Sequence, residues 1–164
     1  MKRVTVLIPV YNEEGSLQEL CDRLQKVFLG NNFDGDILFV NDGSSDNTGM
    51  ILDNLKQNNE NIAVIHFSHN RGKADALQSG FNAAEGDYVI TMDGDLQDDP
   101  DELPGLIAKI DSGWDVVSGW KKERHDPLGK TLPSKFFNKT TSMFTGIKIH
   151  DFNCGLKAYK KEVV

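Results

Sequence analysis

A mostly parallel sheet with helices on both faces is the fold class this chain predicts, and three observations predict it. Short apolar runs alternate with segments whose apolar residues recur at helical spacing. The segments between runs are long enough to cross over a sheet, as parallel strands require. Unusual polar and charged residues gather just after the runs, at the edge where open α/β sheets bind ligands.

Val4 to Ile8 reads as a fully buried strand that Pro9 ends. From Glu13, the residues Leu17, Leu20, Leu24, Val27 and Phe28 keep helical spacing until Gly30-Asn31-Asn32 closes the helix. Ile37 to Val40 is the second strand, and Ser45 or Asp46 caps a helix carrying Ile51, Leu52 and Leu55. Ile62 to Phe67 is the third strand, followed by a helix from about Lys73 to Ala84 with Ala76, Leu77, Gly80 and Phe81 on one face. Tyr88 to Met92 is the fourth strand, and Pro100-Asp101 starts a helix with Leu103, Leu106, Ile107 and Ile110. Val116 and Val117 make a short fifth strand. The period then breaks. Gly119 to Pro133 is a long loop rich in Lys, Gly and Pro, of a length at which functional loops are common. Residues 132–144 have a helical pattern, and Phe152 to Tyr159 offers a returning strand.

The 164 residues suit a single domain over 1–164 with a real core. The final Glu162-Val163-Val164 has no turn residues, which predicts a fragment cut at its C-terminus. No apolar run approaches the ~18 residues that cross a bilayer, and Met1-Lys2-Arg3 lacks the apolar stretch of a signal peptide. A net charge of −7 argues against a nucleic-acid backbone as partner. Cys21 and Cys154 form no metal or redox motif and read as reduced thiols of a cytosolic protein. Asn138-Lys139-Thr140 matches a glycosylation sequon, read as coincidence without a secretory signal.

The most informative loop is Met92-Asp93-Gly94-Asp95-Leu96-Gln97. Asp93 and Asp95 follow the fourth strand directly, and residues two apart along extended chain face the same way. Gly94 lets a ligand approach the backbone. Hard oxygen ligands at an open edge suit Mg2+ or Mn2+ held jointly with substrate phosphates. After the first strand, Pro9-Val10-Tyr11-Asn12-Glu13-Glu14 offers an aromatic to stack on a base and Glu13 to accept from base or ribose; a helix start with dipole-favoured acids is the equal reading. In Asn41-Asp42-Gly43-Ser44-Ser45-Asp46, Asp42 is placed to accept from a base imide or ribose hydroxyl, with the fold expected to survive its loss. Ser44 to Asp46 are read as helix caps. His69-Asn70-Arg71-Gly72-Lys73 is a basic turn into a helix, suited to phosphate or simply solvated. Trp120 to Asp126 brings Lys121, Lys122 and Arg124 to the longest loop. Asp151, among apolar and small residues, is a candidate base or a satisfied structural acid. The four histidines show no metal-ligand spacing.

Together these motifs resemble the family-2 inverting glycosyltransferases, in particular the polyprenyl-phosphate group typified by dolichol-phosphate mannose synthase. The matching stretches are Ile8 to Glu14, Val40 to Ser44, Asn70 to Lys73, Asp93 to Gln97 and the Lys121–Arg124 cluster, in family order over nearly the whole chain. The resemblance implies a GT-A, Rossmann-like fold and nucleotide contacts at Pro9, Tyr11, Glu13, Val40 and Asp42, with Lys73 and Gly94 beside them. It implies Mg2+ or Mn2+ held by Asp93, Asp95 and Gln97, and catalytic roles for Asp151, Lys121 and Arg124. This chain has Gly94 where the family commonly has Ala, and Lys121 where it commonly has Arg, which loses bidentate phosphate recognition. The partners implied are a nucleotide-diphosphate sugar donor and a polyprenyl-phosphate acceptor, with no nucleic acid. The full-length form is expected at the cytoplasmic face of a membrane, and a homo-oligomer is left open. Two other functions are weighed: transfer to a saccharide hydroxyl, and a non-catalytic sugar-nucleotide-binding module. A sugar-nucleotide pyrophosphorylase is disfavoured, because Val4 to Glu14 has no glycine.

Overall fold

A computed structural model describes residues 2–119 and 154–164. Its elements run β1 (Arg3–Val10), α1 (Leu17–Asn31), β2 (Asp34–Asn41), α2 (Thr48–Asn58), β3 (Ile62–His66), α3 (Lys73–Ala83), β4 (Tyr88–Thr91), a 3-10 turn (Pro100–Glu102), α4 (Leu103–Asp111), β5 (Val116–Ser118) and β6 (Lys157–Lys160), with a closing 3-10 turn (Lys161–Val163). They build a six-stranded sheet in the order β3-β2-β1-β4-β6-β5. The neighbours β3, β2, β1 and β4 pair in parallel, and β6 lies antiparallel between β4 and β5. This is an α/β architecture with the mostly parallel sheet that the sequence predicts, and one reversed strand that the periodicity did not reveal.

The sheet is covered on both faces, as strands buried on both sides require. Alternate residues of β1 divide between two apolar clusters. Val4, Val6, Ile8 and Val10 join α1, α2 and α4, whereas Leu7 joins α3 through Ala76, with Leu77 and Phe81 packed on its flank. Burying a Leu or Ile side chain stabilises by roughly 1.5–3 kcal/mol relative to exposure.

Several boundaries move, each for a physical reason. Pro9 does not end β1; the strand continues to Val10, with Pro9 opposite Val40. Leu7 accepts from Met92 N–H of the β4 side and Val10 accepts from Asp42 N–H of the β2 side. By alternation the donor that Pro9 lacks faces the β4 side, where the ladder has already stopped at Leu7–Thr91. Helix α1 starts at Leu17 rather than Glu13, which leaves Glu13 in the loop at the strands' carboxyl edge. The left-handed cap of α1 is Asn32, at φ 55°, not Gly30. The expected helix over 132–144 and the first residues of the returning strand lie outside the described residues. Among the described residues, no helix is long and apolar enough to cross a membrane.

Candidate functional site

The loops after β1, β2, β3 and β4 converge on a cavity of about 360 Å³ at the carboxyl edge. It is lined by Pro9 near the end of β1, Tyr11 and Glu13 from the first loop, Asp42 from the second, Lys73 at the start of α3, and Asp93, Gly94 and Asp95 from the fourth loop. Val10, Asn70 and Gly72 complete the lining; the sequence analysis named the stretches that hold them but assigned none of the three a contact of its own. Tyr11 is 46% exposed, so its ring is available for stacking at the mouth.

The first two loops are laced together. Asn12 N–H donates to Ser44 Oγ at 3.0 Å, and Ser45 N–H donates to Asn12 Oδ1 at 2.8 Å. Glu13 N–H donates to Thr48 Oγ1 at 2.9 Å, and Asn47 N–H donates to Glu14 Oε2 at 3.0 Å. Ser44 and Ser45 therefore bind the neighbouring loop rather than cap α2. Asp46 does serve the helix start, accepting from Thr48 N–H at 3.0 Å.

Asp42 is buried, and its two carboxylate oxygens accept the N–H groups of Arg71 at 2.7 Å and Gly72 at 2.9 Å. It thereby clamps the turn that leads into α3. Arg71 itself is directed elsewhere: its guanidinium pairs with Asp75 at 3.1 Å and lies 4.9 Å over the Phe67 ring. Lys73 reaches the acidic loop instead, where its ammonium forms an ion pair with Asp93.

Asp93 and Asp95 occupy a turn rather than a straight strand. Asp95 Oδ1 accepts Gln97 N–H at 3.0 Å, and Leu96 takes a left-handed φ of 63°. Close packing fixes both flanks. A Cβ at Gly94 would meet Val10 Cγ1 at 2.8 Å, and Ser16 Oγ donates to Gly94 O at 2.6 Å. A Cβ at Gly155 would lie 2.5 Å from Asp93 Oδ2. An alanine at position 94 would therefore need a smaller or shifted neighbour at Val10.

Carboxylates dominate the cavity. Burial raises the Glu13 pKa above the usual carboxylate range, and repulsion from Asp95, Asp46 and Asp93 raises it further. Among the described residues, no group of three or more Asp, Glu, His or Cys side chains forms a ready metal cage. The donor set still fits a hard divalent ion, which is commonly held by one or two carboxylates with phosphates and water completing its shell. The Lys73 ammonium already sets one cation against Asp93.

Two residues named from the resemblance stand off the cavity lining. The Val40 side chain is fully buried in the α3 cluster, so it makes no side-chain contact with the cavity. Gln97 is exposed and outside the cavity lining, with only its backbone N–H tied to Asp95. Lys121, Arg124 and Asp151 lie outside the described residues.

Solved structures share the fold. Glucosyl-3-phosphoglycerate synthase from Mycobacterium tuberculosis in complex with phosphoglyceric acid matches at TM-score 0.77 and 18% identity, over 99% of this chain and 58% of that one. The same synthase with Mn2+, UDP-glucose and phosphoglyceric acid matches at TM-score 0.75 and 18% identity, over 99% and 57%. A mannosyltransferase from Pyrobaculum calidifontis, in complex with GDP-mannose and Mn2+, matches at TM-score 0.72 and 24% identity, over 99% and 45%. This chain therefore spans about half the length of these structures. The model of the family described as glycosyl transferase family 2 matches residues 5–164, and the chain belongs to that family.

Proposed function

We propose that this chain is the catalytic domain of an inverting glycosyltransferase that takes a sugar from a nucleoside-diphosphate donor, with Mg2+ or Mn2+, and passes it to a polyprenyl phosphate at the cytoplasmic face of a membrane. One observation carries the donor half of this reading: an acidic pair at the carboxyl edge faces the same cavity as Tyr11, Asp42 and Lys73. Stacking on Tyr11 and acceptance by Glu13 suit a nucleoside. Asp42 keeps the turn beneath in place. Asp93 and Asp95 are the residues to hold the ion, which when bound supplies Lewis-acid neutralisation of the departing diphosphate. Lys73 takes up diphosphate charge once Asp93 is engaged. Structures of relatives with UDP-glucose or GDP-mannose beside Mn2+ support the same chemistry.

The acceptor half rests on the resemblance. Lys121 and Arg124 are assigned to hold phosphate, and Asp151 to take a proton where the acceptor is a hydroxyl. A polyprenyl phosphate arrives as an anion and needs charge neutralisation more than a base. A hydroxyl acceptor is the second reading, supported by the synthase structure that holds phosphoglyceric acid beside UDP-glucose. Transfer from radiolabelled sugar nucleotides to a short polyprenyl phosphate, using full-length protein with Mn2+, separates the two. Lipid labelling supports the proposal. Labelling of a phosphorylated or saccharide hydroxyl alone, with Asp151 indispensable, replaces it with the second reading. Donor binding without any transfer or donor hydrolysis makes the chain a binding module.

A further inference from the structure

A chain of hydrogen bonds runs from the outer surface of α2 to the mouth of the cavity. Asp53 Oδ1 lies 3.2 Å from His66 Nε2, and His66 Nδ1 lies 3.0 Å from Asn41 Nδ2. Asn41 Oδ1 accepts Ser44 N–H at 3.0 Å, and Ser44 Oγ accepts Asn12 N–H at 3.0 Å. Asn12 directly follows Tyr11, the exposed aromatic of the cavity.

Donor and acceptor roles along this chain are fixed by one end. The Ser44 backbone N–H can only donate, so the Asn41 carbonyl oxygen faces it and the Asn41 amide N–H2 faces His66. His66 Nδ1 must then carry a lone pair, and the single ring proton sits on Nε2, directed at Asp53. Asn41 is only 5% exposed, so the His66 Nδ1 acceptor holds its amide, and the amide in turn presents Oδ1 to the Ser44 N–H. Among the described residues the charged group in contact with the ring is Asp53 on α2.

We infer that His66 is a positioning residue for the Tyr11 side of the cavity, acting through Asn41 and Ser44. The consequence for nucleotide affinity rests on the function proposed above; the consequence for the loop does not. Two variants and two measurements test it. His66→Phe removes both ring contacts, whereas His66→Gln keeps an acceptor for Asn41 and a donor for Asp53 without a titrating ring. Amide hydrogen exchange at Asn12, Ser44 and Ser45 reads the loop, and calorimetry with UDP and GDP in Mn2+ reads affinity. His66→Phe should speed exchange at these amides and weaken nucleotide binding by about five- to tenfold, the scale of one lost hydrogen bond. His66→Gln should restore wild-type exchange and wild-type affinity. Unchanged exchange in His66→Phe, or exchange in His66→Gln as fast as in His66→Phe, overturns the inference. If His66→Phe does not fold, His66→Ala, a smaller residue at this exposed position, is read in the same way. If the wild type binds no nucleoside diphosphate, the proposed function fails, and exchange alone decides the role of His66.

Discussion

The two edges of the sheet treat their carboxylates differently. At the amino edge several acids are paired with a cation: Arg3 joins Asp36 at 3.3 Å and Glu85 at 2.9 Å, Lys160 pairs with Asp115 at 2.6 Å, and Lys2 binds Asp111. At the carboxyl edge Glu13, Asp42, Asp93 and Asp95 face one cavity, and Lys73 is the cation among its described lining residues. The contrast reaches individual groups. Burial raises the Asp36 pKa, and a hydrogen bond from Thr5 and the Arg3 charge oppose that rise without cancelling it. Every influence on Glu13 pushes upward. Size alone points the wrong way, because the amino-edge cavity is the larger, about 520 Å³ against 360 Å³. What sets the carboxyl edge apart is not volume but the convergence of four strand-end loops, bringing Tyr11, Asp42, Lys73 and the Asp93–Asp95 pair to one cavity.

The hardest blow to this contrast is Asp42→Ala. It leaves the Arg71 and Gly72 N–H groups without their acceptor at a buried site, so urea unfolding should show a loss of about 2–4 kcal/mol, and nucleotide affinity should fall with the displaced turn. Unchanged stability would mean the clamp is dispensable and Asp42 serves only the ligand.

Gly155→Ala sharpens the comparison by moving a single carboxylate. Its new Cβ, 2.5 Å from Asp93 Oδ2, forces the acid or the backbone to shift. Mn2+-dependent nucleotide binding should weaken several-fold in calorimetry, with stability falling by about 1–3 kcal/mol. Full affinity would show that the position of Asp93 is not critical.

Glu13→Gln tests the charge around Glu13 through pH. A carboxyl whose folded pKa is raised contributes stability below its unfolded pKa, near 4.3, and loses that contribution as pH rises through the folded value. Metal-free wild type should therefore melt below Glu13→Gln at neutral pH, and the gap should close on acidification. A gap that widens in acid contradicts the sign.

Smallest of all is Arg3→Ala at the amino edge. Its pairs are half exposed, so the loss should stay below about 1 kcal/mol, with no change in nucleotide binding.

The parallel half of the fold was legible because its strands are apolar along their whole length, and the helices between them keep period. Strand direction was not: nothing in Lys157 to Lys160 says that it runs against β4, since pairing partners distant in sequence decide that. Pro9 misled because a missing donor matters only on a side that has a partner. At the site, Asp93, Asp95 and Tyr11 were readable as strand-end residues. Ser44 was not, because its hydroxyl can serve its own helix or a neighbouring loop, and only the packed structure chooses. Arg71 and Lys73 are two residues apart, yet Asp75 holds one and Asp93 the other.

The central claim is that the carboxyl-edge acids need a divalent ion before they accept a nucleoside diphosphate. Calorimetric titration of UDP and GDP, with Mn2+ and then with excess chelator, tests it on the wild type and on Asp95→Asn. Asp95 is exposed, so the variant should fold normally. The account predicts binding of one nucleotide with Mn2+, none in chelator, and at least ~10-fold weaker binding in the variant, the lower end of what disturbing a metal site costs. Equal affinity with and without the ion, or an Asp95→Asn protein that binds as tightly as the wild type, would contradict it.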